Sequence, residues 1–261
     1  APRGLPVHRY PAHAVDDGPR APEAQFTGES AWGRYGERVE EFDDSMGRIL
    51  ALLGALTRDR RTLVIYTSGN GPWLPYGMDA GSAGPLRSGK GTVYEGGIRV
   101  PAVMRWPSRI PAGVITSEIA ASLDLFATAA EISGAALPKD RAIDSKSLLP
   151  LMTRPGSKGP RDTFHYFNVA LRYDPAKGRP DNTSVLGAVR KGPWKLHFGE
   201  VGKPAALYNL LEDIGEARDI AAREPAIVRE LEAEGRALAE EIRGNTRPPG
   251  RLSGGPGGGP R

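Results

Sequence analysis

Two short apolar segments, Leu63–Tyr66 and Val100–Trp106, bracket a glycine-rich stretch that carries one lysine, Lys90. Leu63–Tyr66 is too short for a buried helix and is rich in β-branched and aromatic residues, so it reads as a buried strand. The polar residues Thr67, Ser68 and Asn70 follow it at once. Polar groups at the end of a strand, beside a glycine-rich loop, are the way open α/β sheets build their sites. This pattern constrains the chain to an α/β unit with a loop-built site between its two apolar segments.

The rest of the chain fits around that unit. Residues 1–30 have many Pro and Gly without periodicity and read as irregular. From Trp32, apolar residues advance in steps of three and four through Tyr35, Val39, Phe42, Met46, Ile49, Leu50, Leu53 and Leu56. That spacing predicts an amphipathic helix, with Glu37, Arg38, Glu40 and Glu41 on its solvated face. Val100–Trp106 is a second strand, and Asp124 is placed to cap a helix that stops at Gly134. Ala135 to Thr153 reads as irregular. The turn-rich RPGSKGPR near 155–160 marks a change of character. Beyond it come strand-like pieces at Phe164–Phe167, Val185–Val189, Trp194–Phe198 and Ala206–Leu210, then a helix from Pro225 to Arg243. The expected organisation is an irregular segment 1–30, an α/β part 31–154, a small α+β module 155–244 with an antiparallel sheet and a helix, and a disordered Gly/Pro tail 245–261.

Composition removes several function classes. The net charge of +4 comes with Arg interleaved among Asp and Glu, without a basic stripe carrying aromatics, so nucleic acid is not an expected partner. The 261 residues hold no cysteine, which excludes disulfides, thiolate metal sites and cysteine nucleophiles within this sequence and leaves the compartment open. No apolar run is long enough to span a membrane as a helix, and APRGLPVHRYPAHAVDDGPRAP has no apolar signal core. The absence of an initiating Met makes the sequence read as a piece of a longer one. Its oligomeric state is not readable.

Within the glycine-rich stretch, Lys90 lies in Arg87-Ser88-Gly89-Lys90-Gly91-Thr92. Flanking glycines let backbone approach a ligand closely, and an ammonium there suits an anion such as sulfate or phosphate. The spacing is not that of a P-loop. Asn70 offers a carbonyl oxygen to a hard cation such as Ca²⁺ or Mg²⁺, or else serves a turn with Gly71. His8, His13, His165 and His197 show no metal-ligand spacing, and His197, alternating within a strand-like run, reads as structural. No Ser lies in a G-x-S-x-G elbow.

These residues resemble the sulfatase family, in particular the arylsulfatases that use a formylglycine made from cysteine. TLVIYTSGNGP is similar to the family's TLVIFTSDNGP, and GSAGPLRSGKGTVYEGGIRVPAVMRWP matches its glycine-lysine motif. SLDLFATAAEISGAALPKDRAIDSKSLLPLM, AVRKGPWKLHF and ALYNLLEDIGEARDIA resemble later segments, as do Arg34-Tyr35-Gly36 and Glu40 to Asp43 in the first helix. The resemblance implies the C-terminal part of an alkaline-phosphatase-like α/β domain followed by a small α+β module. It implies hydrolysis of sulfate esters with Ca²⁺, or Mg²⁺ in some members, as cofactor, and commonly an exported protein. By position, Asn70 corresponds to a metal ligand and Lys90 to the sulfate-contacting catalytic lysine.

The sequence also departs from that pattern. The C-x-P-x-R nucleophile motif and the N-terminal aspartate pair are absent, and Gly69 stands where a metal-binding Asp belongs. An ungapped match puts Asp17 in place of the catalytic histidine, where an anion repels sulfate. Two readings follow: the C-terminal part of an arylsulfatase completed elsewhere, or a decayed sulfatase that at most binds an anion through Lys90 and Arg87. Under either, the polypeptide alone is expected to be inactive and to bind Ca²⁺ weakly. It is also expected to be poorly soluble, because half a sheet leaves a strand edge and an apolar face exposed.

Overall fold

A computed structural model of the chain describes residues 23–28, 30–174, 179–199 and 202–245, of which 169–174, 179–184 and 243 are described by backbone alone. The irregular start with His8, His13 and Asp17, and the Gly/Pro tail from 246 onward, lie outside the described residues.

The predicted first helix forms as α1 (Gly33–Ala55). Its apolar stripe meets strand β1 (Val64–Thr67), where Phe42 stands edge-on to Tyr66 with ring centroids 5.2 Å apart. The face expected to be solvated is not uniformly so, since Glu37 and Arg38 are buried. The turn ahead of the helix folds back over its first residues, and the Gly28 N–H donates to Glu37 Oε1 at 2.6 Å. At the other end Leu52 and Leu56 are exposed. A sheet of two four-residue strands is too small to cover a helix of 23 residues.

That sheet pairs β1 with β2 (Ala102–Arg105), antiparallel, with Val64 opposite Arg105 and Thr67 opposite Ala102. Among the described residues β1 and β2 pair only with each other, and Val103 is 61% exposed on the outer strand. Between them lies the glycine-rich stretch, with a one-turn helix α2 (Glu95–Ile98) at its end. Helix α3 (Asp124–Ser133) stops as expected at Gly134, in the left-handed conformation that glycine adopts without strain. Asp124, however, is not a cap. Its fully buried carboxylate accepts the Ala121 N–H at 3.0 Å and the Lys146 N–H at 2.9 Å, and pairs with Arg161. The segment expected to be irregular contains a short helix, α4 (Leu149–Thr153), because Leu148 and Met152, four residues apart, are both buried and Pro150 fits its first turn.

The four strand-like pieces all lie within one antiparallel sheet of order β3 (Thr163–Asp174), β4 (Arg179–Lys191), β5 (Trp194–Phe198), β6 (Pro204–Asn209). β3 and β4 run well past the apolar pieces, as a long hairpin. Strand β5 explains how this sheet is used. Trp194, Leu196 and Phe198 face helix α5 (Pro225–Gly244), whose Leu231 packs with Val189, Leu196 and Leu207. Gly235 lets that helix approach, since a Cβ there would stand 2.9 Å from Leu186 and 3.0 Å from Phe198. The alternate residues Lys195 and His197 face the other way, toward Tyr166 and the glycine-rich stretch.

Leu231 is 1% exposed at the centre of the α5 core. Leu231→Ala is expected to lower stability by about 3 kcal/mol, read as a shift in the urea midpoint with an unchanged slope.

Candidate active site

The site predicted from sequence lies where three glycine-bearing segments are fastened together. The Lys90 N–H donates to the Pro72 carbonyl at 2.9 Å, and the Gly71 N–H donates to the Gly97 carbonyl at 3.0 Å. The Gly96 N–H closes the stretch on itself through the Arg87 carbonyl at 2.9 Å. Such close approach requires glycine: a Cβ at Gly71 would clash with the Gly96 carbonyl, and one at Gly96 with the carbonyls of Arg87 and Ser88. The backbone therefore places the loop after β1, which carries Asn70, directly against the loop that carries Lys90.

Lys90 is half-buried, with Nζ 4.8 Å from the centre of the Trp73 ring. An ammonium over an indole face is attracted by the negative face of the ring. Asn70 is exposed, and its backbone carbonyl accepts from the Ser68 hydroxyl at 3.2 Å. Gly69 beside it has no side chain to offer, and among the described residues no three of His, Asp, Glu or Cys gather as a cation cage. A hard dication takes six to eight oxygens, usually several of them carboxylates. Asn70 and its described neighbours do not fit that requirement.

Arg87 differs from the expectation that it joins Lys90 at an anion. Its guanidinium lies 4.3 Å from the Tyr94 ring centre and donates from Nη1 to the Glu216 carbonyl at 2.5 Å. The loop in which Glu216 lies precedes α5, so Arg87 points to the second sheet rather than into the site.

Behind the glycine-rich stretch lies a cluster that the sequence reading missed. Glu95 and Glu216, 2% and 0% exposed, enclose Lys195, which is also 0% exposed. Lys195 Nζ lies 2.8 Å from Glu95 Oε1 and 3.0 Å from Glu216 Oε1. The Tyr166 hydroxyl donates to Glu95 Oε1 at 2.9 Å, Arg190 lies 3.4 Å from Glu95 Oε2, and His197 Nε2 lies 2.7 Å from Glu216 Oε1. His197, expected to be structural, is buried between the Tyr94 and Tyr208 rings and engaged by Glu216. The available signal was the strand WKLHF: a lysine and a histidine on the same face of a buried strand need acidic partners.

Comparison with known proteins decides what this arrangement belongs to. The sulfatase family model matches residues 7–135, and the model of the C-terminal region of N-sulphoglucosamine sulphohydrolase matches residues 88–241. The chain belongs to the sulfatase family. It is 41% identical to mouse N-acetylgalactosamine-6-sulfatase over 197 residues, covering 75% of this chain and 35% of that protein. Against bovine arylsulfatase A the identity is 34% over 235 residues, covering 82% of this chain and 44% of the other. Among solved structures, a Pseudoalteromonas sulfatase superposes with a TM-score of 0.73 at 22% identity, over 86% of this chain and 46% of that one. The fold is thus the alkaline-phosphatase-like α/β fold of sulfatases. The chain spans less than half the length of these relatives. Members of the family generally depend on a metal.

The buried cluster is expected to make this chain sensitive to acid. Burial by itself raises the Glu216 carboxyl, but the His197 hydrogen bond, the Lys195 charge and the Glu95 N–H outweigh it and hold the group below its ordinary value of 4.5. A carboxylate lowered in the folded state stabilises the fold above its unfolded value, and that contribution is lost as pH falls through the folded one. Stability is therefore expected to fall below pH 4.5. Urea titrations should show Glu216→Gln flattening this acid limb by up to about 1.4 kcal/mol per pH unit, the linkage of one proton.

Proposed function

We propose that this chain supplies the sulfate-contacting wall of a sulfuric ester hydrolase and does not itself hydrolyse sulfate esters. The observation that supports it is the fastening of the Gly-Lys loop to the loop after β1, through Lys90 to Pro72 and Gly71 to Gly97. This sets an ammonium beside the strand end, where it offsets the charge of a bound sulfate and of the ester oxygen as the bond to sulfur breaks. The sequence contains no cysteine from which a formylglycine nucleophile is made. The purified chain is expected to release no phenol from an aryl sulfate above a Lys90→Ala control. Turnover that this substitution abolishes would overturn the proposal, by showing that another group of the chain attacks sulfur.

In this reading Asn70 is the remaining donor of a Ca²⁺ or Mg²⁺ site whose neighbouring carboxylate is lost at Gly69. A Cβ at Gly69 meets nothing within 4 Å, and its backbone is not left-handed, so an aspartate fits there without strain. Calorimetry is expected to detect no tight Ca²⁺ binding to the native chain and a measurable gain in affinity for Gly69→Asp. A micromolar native site would show that other oxygens complete the cage. A second reading, a sulfatase-family protein that retains anion binding without catalysis, is favoured by Gly69 itself. In that reading Lys90 acts without Arg87, which is engaged by Glu216 and Tyr94.

A further inference from the structure

Glu216 touches the Lys90 loop at its beginning and at its end. Its backbone carbonyl accepts from Arg87 Nη1 at 2.5 Å, three residues before Lys90. Its carboxylate Oε2 accepts from the Glu95 N–H at 2.7 Å, five residues after it. The other carboxylate oxygen is occupied from behind by Lys195 at 3.0 Å and His197 at 2.7 Å, both on β5. One residue therefore ties the loop to the second sheet by main chain and side chain together.

Its conformation fits that double task. Glu216 has φ 49, a left-handed backbone that a residue with a Cβ adopts only where its surroundings demand it. Ser88, inside the loop beside Arg87, has φ 65. Both departures lie at the points where loop and second sheet meet. The glycine at 215 stands against this loop as well, since a Cβ there would lie 3.2 Å from the Pro85 carbonyl. On its outer side the loop meets the loop after β1 through the Lys90 N–H on the Pro72 carbonyl and the Gly71 N–H on the Gly97 carbonyl, with Pro72 and Lys90 half-buried. The buried attachment is the one through Glu216.

We propose that Glu216 is a positioning residue, which from the loop ahead of α5 holds both ends of the Gly-Lys loop and so sets where the Lys90 ammonium stands. This rests on the reading of Lys90 as the sulfate-contacting group, and it adds that the α+β portion of the chain is part of the site's machinery. The carboxylate at 216 accepts on two oxygens at once, from the Glu95 amide on one and from the Lys195 cation on the other, and the first of these holds the loop. Arg87 is required as its counterpart, a planar donor that reaches a carbonyl while stacking on Tyr94.

The test is NMR on the full chain, with amide hydrogen exchange at Lys90, Gly96 and Gly97 and the lysine side-chain resonance of Lys90, which the Trp73 ring current displaces. Four variants are compared: Glu216→Ala, Glu216→Gln, Arg87→Gln and, as a control of similar cost to the fold, Leu231→Ala. The expected result is at least tenfold faster exchange at those three amides in Glu216→Ala and Arg87→Gln, with the Lys90 resonance moving toward its free position. Glu216→Gln, which keeps an oxygen for the Glu95 amide, restores most of the protection, and Leu231→Ala leaves the Lys90 resonance in place. The proposal is overturned if Glu216→Ala and Leu231→Ala change the loop alike, because the effect is then global loss of stability. If Glu216→Ala does not fold, Arg87→Gln decides alone, and an unmoved Lys90 resonance overturns the proposal. Adding inorganic sulfate to the same samples examines the Lys90 reading separately. A resonance indifferent to sulfate refutes that reading while leaving the loop measurement to stand or fall by itself.

Discussion

Lys195 carries a positive charge in a place water does not reach, and the two glutamates against it come from elements distant in sequence. An isolated buried ammonium is among the costliest groups a protein can enclose, so Glu95 and Glu216 must both be present and correctly placed for β5 to pack at all. Glu95 belongs to the glycine-rich stretch and Glu216 to the loop ahead of α5, with Lys195 on β5 between them. The ion cluster thereby makes folding of the second sheet conditional on docking of the glycine-rich stretch. Removing a single member leaves an uncompensated charge, whereas a concerted exchange for apolar residues need not destabilise.

This dependence explains why glycines are so dense opposite the cluster. The loop after β1, the Lys90 loop and the turn at Glu95 lie within backbone contact of each other, and each close approach excludes a Cβ. Gly187 on β4 continues the theme, since a Cβ there would lie 2.8 Å from Val93. Backbone-to-backbone packing of this kind leaves little freedom for sliding. A lysine at the crest of the loop inherits its position from amides, not from its own long side chain.

Legibility in the sequence followed periodicity. Helices α1, α3 and α5 were readable because each has one apolar face, and the strand pieces because each is a short apolar run between turn residues, both of which are local properties. The glycine-lysine motif around Lys90 carried the family resemblance. Three things were not readable. The burial of Glu37 and Arg38 depends on a turn folding back over α1, which spacing on the helix does not encode. Asp124 looked like a cap because caps and buried acids use the same residue, and only the positions of Lys146 and Arg161 distinguish them. Glu216 lies in a stretch without periodicity, and its importance comes wholly from partners on other elements. The extension of β3 and β4 beyond their apolar pieces likewise reflects cross-strand pairing rather than composition.

Asp124 has a consequence of its own. Its carboxylate ties the start of α3 to Lys146, while the Ser145 hydroxyl receives the Ala127 N–H at 2.8 Å and the Leu148 N–H reaches Thr128 Oγ1 at 2.8 Å. Residues 135–143 between these anchors are mostly exposed, with Leu137 and Ile143 half-buried. A chain cut there would remain associated across the gap, and new termini or an inserted peptide could be accommodated at that point. The sulfatase scaffold in this chain thus has a natural opening, held across by one buried acid, at which the backbone can be cut or lengthened without parting α3 from the segment that follows it.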